Sequence, residues 1–133
     1  MKKIVVAEDD TDDQDMFREI VNEMEEKVDL VIKDNGEKLI QFMEQLRDDE
    51  LPMLILLDQN MPRLKGSETI EHLRRIDRYK KIPAVIYTTY HDTKFRDQCA
   101  GMGVELLLKP DTFDGFGKMV NYLVSRYVKK VDL

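Results

Sequence analysis

The stretch Met53-Leu54-Ile55-Leu56-Leu57-Asp58-Gln59-Asn60-Met61-Pro62 is an apolar run that stops at an acid and then turns. Five consecutive apolar residues without alternation read as a short strand covered on both faces, as in a parallel sheet. Such a strand would carry Asp58 to the edge of the sheet. Working outward, four similar runs appear: Ile4-Val5-Val6-Ala7, Leu30-Val31-Ile32, residues 84–87 and Leu106-Leu107-Leu108. Their starts lie roughly 25 residues apart, about the length of one strand–helix unit.

The segments between the runs have helical spacing. Met16, Phe17, Ile20, Val21 and Met24 form one apolar stripe, and Leu39, Ile40, Phe42, Met43 and Leu46 a second. Ser67 is the expected N-cap of a third helix with Ile70, Leu73 and Ile76. A short fourth helix around Phe95 and Cys99 should end near Gly101. The fifth carries Phe113, Phe116, Met119, Val120, Leu123, Val124 and Tyr127, although Gly115 and Gly117 weaken its first turns. Right-handed crossovers then give a doubly wound α/β chain, with a five-stranded parallel sheet, helices on both faces and any ligand beyond the carboxyl ends of the strands.

The chain has 133 residues, 42% of them hydrophobic and 36% charged, which suits one core and argues against disorder. Twenty-seven acids against 21 bases give a net charge of −6, which disfavours nucleic acid as a default partner. The lone Cys99 allows no internal disulfide and no cysteine-based zinc site, and no run is long enough for a signal peptide or a membrane span. A cytoplasmic protein without membrane contact is expected. His72 and His91 do not pair at a metal-binding spacing and are read as surface residues.

Chemistry-bearing residues stand where the runs end. The first run meets Glu8-Asp9-Asp10, the third Asp58, the fourth Thr88-Thr89, and the fifth Lys109-Pro110. Asp10, Thr11, Asp12 and Asp13 have an ordinary reading as the start of a helix. With strand order 2-1-3-4-5, Glu8, Asp9 and Asp58 would crowd one edge beside Thr88 and Lys109. Carboxylates so placed repel by about 4 kcal/mol per close pair at an effective dielectric near 20, and one lysine cannot neutralise three. Such a cluster either raises a pKa or binds a divalent cation, and few carboxylates beside a phosphate oxygen suit Mg²⁺ better than a caged Ca²⁺. A cation there would bring a phosphoryl group to a carboxylate nucleophile, with a lysine and a hydroxyl stabilising charge on its oxygens.

These residues closely resemble the receiver domain of bacterial response regulators. The marks are Val5-Val6-Ala7-Glu8-Asp9-Asp10, Leu56-Leu57-Asp58-Gln59-Asn60-Met61-Pro62 with Gly66, Pro83-Ala84-Val85-Ile86-Tyr87-Thr88, and Leu108-Lys109-Pro110. The resemblance implies a flavodoxin-like, CheY-like (βα)5 fold of strand order 2-1-3-4-5. It implies a receiver domain over residues 1–129, a short tail over 130–133, and no attached output domain. Asp58 would accept a phosphoryl group from a sensor histidine kinase or phosphotransfer protein. Mg²⁺ would be held by Asp9, Asp58 and the backbone carbonyl of Asn60, with Glu8 acting through water. Thr88 and Lys109 would contact the phosphoryl oxygens, and the Lys109-Pro110 bond would be cis. The protein would catalyse only its own phosphorylation and dephosphorylation, and would signal by altered docking onto a downstream protein.

Two positions depart from the family pattern. Leu106 stands where an aromatic switch residue is usual, and Tyr90 stands two positions after Thr88. Leu106 is smaller and carries no hydroxyl, so a muted side-chain switch is expected, with movement carried by residues 89–94. Docking would use Lys94, Arg96, Asp97, Leu106 and the outer side of residues 111–127. Two other readings remain: a small Mg²⁺-dependent phosphohydrolase with an aspartate nucleophile, and a receiver-fold binding module that works without phosphorylation. Asn60 lacks the second acid that the hydrolase would need.

Overall fold

The computed structural model describes residues 2–90 and 92–128. Met1, His91 and residues 129–133, with the expected tail, lie outside the described residues. Each apolar run becomes a strand: β1 (Lys2–Ala7), β2 (Val28–Lys33), β3 (Leu54–Asp58), β4 (Ala84–Thr88) and β5 (Glu105–Leu108). They form one sheet of order β2-β1-β3-β4-β5, and every pairing is parallel. Five α-helices alternate with them: α1 (Thr11–Glu23), α2 (Gly36–Glu44), α3 (Gly66–Arg74), α4 (Thr93–Gly101) and α5 (Phe113–Leu123). The last of these runs on into a π-helical turn, Val124–Val128.

The central strands β3 and β4 are buried along their whole length, whereas the edge strands β2 and β5 hold half-buried residues. Alternate side chains feed two cores on opposite faces of the sheet. Val5, Ala7, Ile55, Leu57 and Ile86 pack with Leu39, Met43, Ile70, Leu73 and Cys99 of α2, α3 and α4. Ile4, Val6, Leu54, Leu56, Val85 and Tyr87 pack with Phe17 and Ile20 of α1 and Phe116, Met119 and Leu123 of α5. Phe17, Tyr87 and Phe116 meet edge to face, an arrangement that aromatic quadrupoles favour.

Helix ends follow local chemistry, with one change. The Asp10, Asn35, Asp92 and Thr112 side chains cap α1, α2, α4 and α5 by accepting a backbone N–H three residues on. Ser67 does not cap α3: the helix begins at Gly66 after Lys65, so the cap lies two residues before the expected one. The reason is packing, because a Cβ at Gly66 would lie 2.7 Å from the Asp58 carbonyl oxygen. Only glycine lets α3 begin against the strand end. Gly103, at φ +69°, makes the left-handed turn after α4, two residues beyond the C-cap expected at Gly101. Phe113, expected in the core, is 44% exposed, because it sits in the first turn of α5.

Candidate functional site

Strand register delivers the polar residues together. Ala7 lies beside Leu57, Asp58 beside Tyr87, and Thr88 beside Leu108, so the residues at and just beyond these strand ends share one edge. The ladder continues one residue past three strands: Glu8 N–H donates to the Lys33 carbonyl, Gln59 N–H to that of Tyr87, and Lys109 N–H to that of Thr88. The backbone of the site is thus held by the sheet itself.

Glu8, Asp9 and Asp58 each bring a carboxylate oxygen within 4.8 Å of the others, a grouping able to hold a metal ion. Glu8 and Asp58 are buried, while Asp9 is exposed. Three hard oxygen donors suit Mg²⁺, Ca²⁺ or Mn²⁺ rather than a thiophilic metal. A cleft of about 540 Å³ opens over them, lined by Asp9, Asp10, Thr11, Asp58, Asn60, Thr89 and Lys109. A depression of about 590 Å³ on the outer face of α5, around Phe113 and Tyr122, is larger but holds only Asp114 and Lys118 as charged groups. The chemistry sits in the cleft.

Glu8 is fully buried and is absent from the cleft's lining. The Tyr87 hydroxyl donates to its Oε1 at 2.5 Å, Lys109 Nζ donates to the same oxygen at 3.1 Å, and the Asp10 N–H donates to its Oε2. Burial pushes the Glu8 carboxyl up to about 7, the Tyr87 bond opposing this and the Asp58 charge adding to it. Asp58 is also raised, chiefly by burial, against the Asn60 N–H that its Oδ1 accepts. Tyr87 is raised well above the usual phenol range, first by burial and then by the Glu8 charge.

The Lys109 ammonium faces three carboxylates, with Asp13 at 2.6 Å, Glu8 at 3.1 Å and Asp58 at 3.5 Å. Burial alone would lower its pKa; the Asp13 bond and the Asp58 and Glu8 charges outweigh that and raise it. The Lys109-Pro110 bond is trans, since no cis peptide occurs among the described residues. Trans is the form an X–Pro bond favours by about 0.5–1 kcal/mol. Lys109 is aimed instead by its strand-end backbone and its acid partners.

Thr88 is engaged on both sides. Its hydroxyl donates to the Tyr90 carbonyl at 3.0 Å and accepts from Asn60 Nδ2 at 3.2 Å. Tyr90 itself is 76% exposed. Leu106 packs, partly buried, against the core on the α2–α4 side, as an ordinary aliphatic would.

Four residues escape sequence reasoning. Two of them are Tyr87 and Asp13, the partners of Glu8 and Lys109. Gln59 ties the loop after β3 to α3: its Oε1 accepts the Ser67 N–H at 2.8 Å and its Nε2 donates to Ser67 Oγ at 3.0 Å. The buried Gln14 donates to the Glu8 carbonyl at 2.6 Å and to Asp34. All four bonds depend on tertiary placement, and no local pattern announces them. Asp10 and exposed Asp12 keep the helix-start reading.

Comparison with known proteins follows the same lines. Residues 4–121 match the family model of the response regulator receiver domain. Response regulator Rcp1 of Synechocystis sp. is 31% identical over 94 residues, which are 68% of this chain and 64% of Rcp1. The match thus spans less than two thirds of that relative. The cyclic di-GMP phosphodiesterase response regulator RpfG of Xanthomonas campestris is 30% identical over 110 residues, 80% of this chain but 28% of RpfG. Among solved structures, the Mn²⁺-bound form of Rcp1 superposes with a TM-score of 0.85 at 27% identity, over 100% of this chain and 99% of that one. The phosphorylated cyanobacterial phytochrome response regulator RcpA gives 0.86 at 21% identity, over 99% and 97%, a likeness of fold. Among the described residues, no helix is long and apolar enough to cross a membrane.

Proposed function

Because the chain belongs to the response regulator receiver domain family, we propose that it is the phosphoacceptor of a two-component system, with Asp58 receiving the phosphoryl group. The observation that carries this reading is a buried Asp58 grouped with Glu8 and Asp9, under an open cleft and beside a lysine. An Asp58 oxygen attacks the phosphorus of a phosphohistidine on a sensor kinase or phosphotransfer protein. The Asp58 O–P bond forms as the histidine N–P bond breaks, and the imidazole leaves. Lys109 and the Thr88 hydroxyl supply positive charge and a hydrogen bond to the phosphoryl oxygens.

Asp9, Asp58 and the Asn60 carbonyl would hold Mg²⁺, with Glu8 behind them. When bound, the cation offsets the negative charge of the phosphoryl oxygens and the acids. The donor set supports this, since all donors are hard oxygens and the cleft leaves room for water. The hydrolase reading is disfavoured by Asn60, whose side-chain amide is spent on Thr88 and supplies no acid. We place the protein in the cytoplasm, where kinase and phosphotransfer partners reside.

The test treats the protein with a small-molecule phosphodonor, with and without Mg²⁺. Intact mass should show one phosphoryl addition that needs both the metal and Asp58. An Asp58→Asn variant modified as readily as wild type would overturn the assignment.

A further inference from the structure

We propose that Asp13 is a positioning residue that draws the Lys109 ammonium toward itself in the unphosphorylated protein and competes with a phosphoryl group for it. The inference rests on the phosphoacceptor reading above. Asp13 lies in the first turn of α1, fixed there by its N–H donating to the Asp10 side chain at 3.0 Å. Its carboxylate is the nearest acid to Lys109, at 2.6 Å against 3.5 Å for Asp58, and both side chains are only 14% exposed. The lysine backbone is pinned to Thr88, and its head passes over the Tyr87 ring at 5.4 Å, so the ammonium has little freedom beyond its last bonds.

An ammonium has three N–H donors, and here three carboxylates claim them. The contact to Asp58 is the longest of the three, and a phosphoryl group there can draw the ammonium closer only as the Asp13 or Glu8 claim loosens. Glu8 is fully buried and keeps Tyr87 and Asp10 as further donors, so its bond to Lys109 is built into the strand end. Asp13 lies on a different element, the first turn of α1, and is the partner that Lys109 can release. Its negative charge also opposes a second anion placed on Asp58. Asp13 therefore favours the unphosphorylated arrangement.

The probe is the beryllofluoride anion, a phosphoryl mimic, titrated at saturating Mg²⁺ and followed by amide NMR. Asp13→Asn and Asp13→Ala should both tighten its apparent Kd by about three- to tenfold, the scale of one partly screened charge pair. Asp13→Glu, which retains the carboxylate, should stay near wild type. Asp12→Asn removes the same charge from the same helical turn without touching Lys109, and should change the Kd by less than about twofold. The Lys109 ¹⁵Nζ resonance of the unliganded protein should move in Asp13→Asn and not in Asp12→Asn, a signature that mere helix stabilisation does not give. Equal gains from Asp12→Asn, or no gain from Asp13→Asn, would overturn the role of Asp13 while leaving the phosphoacceptor reading intact. Failure of wild type to take up the anion with Mg²⁺ would overturn that reading, and the inference with it.

Discussion

Raising the pH should destabilise the metal-free protein, and Glu8 should be the main cause. Its carboxyl titrates at about 7 in the folded chain against 4.5 as a free side chain. Between those values the folded form binds more protons than the unfolded form, so stability is fully present below about pH 4.5 and is lost as pH rises through 7. The gap corresponds to about 3 kcal/mol, a sizeable part of the total stability of an ordinary domain. Asp58 is raised as well and contributes with the same sign. The acids held low, Asp34, Glu50 and Asp77, act with the opposite sign but complete their titration at lower pH. The assay is denaturant unfolding in chelator at several pH values from about 5 to 8, for wild type and Glu8→Gln. The stability difference between the two should change by roughly 2–3 kcal/mol across that range, with wild type losing ground as pH rises. Added Mg²⁺ should restore wild type more at pH 8 than at pH 5, because the cation selects the ionised acids. A wild-type minus Glu8→Gln difference that stays flat would refute the reasoning, since it would mean that burial does not hold the Glu8 proton.

Tyr87→Phe keeps the edge-to-face rings but removes a donor from a buried carboxylate, so it should cost about 1.5–3 kcal/mol at pH 8 and less at pH 5, read by the same unfolding curves. Gly66→Ala places a methyl 2.7 Å from the Asp58 carbonyl oxygen, and should lower stability by about 1–3 kcal/mol and weaken Mg²⁺ binding by calorimetry. Asp58→Asn relieves repulsion among three acids, and should raise the melting temperature of the metal-free protein while reducing Mg²⁺ affinity; a lower melting temperature would contradict the repulsion argument.

The strand ends were legible because their signal is local. An apolar run stopping at Asp58 or Glu8 states both the element and the residue it presents, and parallel order then brings those ends to one edge. Contacts made across the chain were not legible. The Tyr87 bond to Glu8 joins residues 79 apart, and Tyr87 reads locally as the last apolar residue of a strand. Asp13 sits at a helix start, where an acid has a sufficient electrostatic reason already, and only the fold shows Lys109 within reach. Ser67 resembled an N-cap, but the close approach of Gly66 to Asp58 moved the cap back by two residues, to Lys65. Phe113 fitted the apolar spacing of α5, yet it lies where that helix has barely reached the sheet.

The alternation of β4 has a further consequence. Tyr87 and Thr88 are consecutive, so the pleat turns them toward opposite faces of the sheet. Tyr87 joins Glu8 to the aromatic packing of Phe17 and Phe116, which belong to α1 and α5. Thr88 instead joins Asn60, in the loop before α3, to the Tyr90 carbonyl, in the loop before α4. One strand end thus touches both helical layers, so a change of charge at Asp58 should be felt on one side through a phenol and on the other through an alcohol. Substitutions that silence one branch should leave the other audible, and a partner resting on α1 and α5 need not hear what a partner resting on α4 hears.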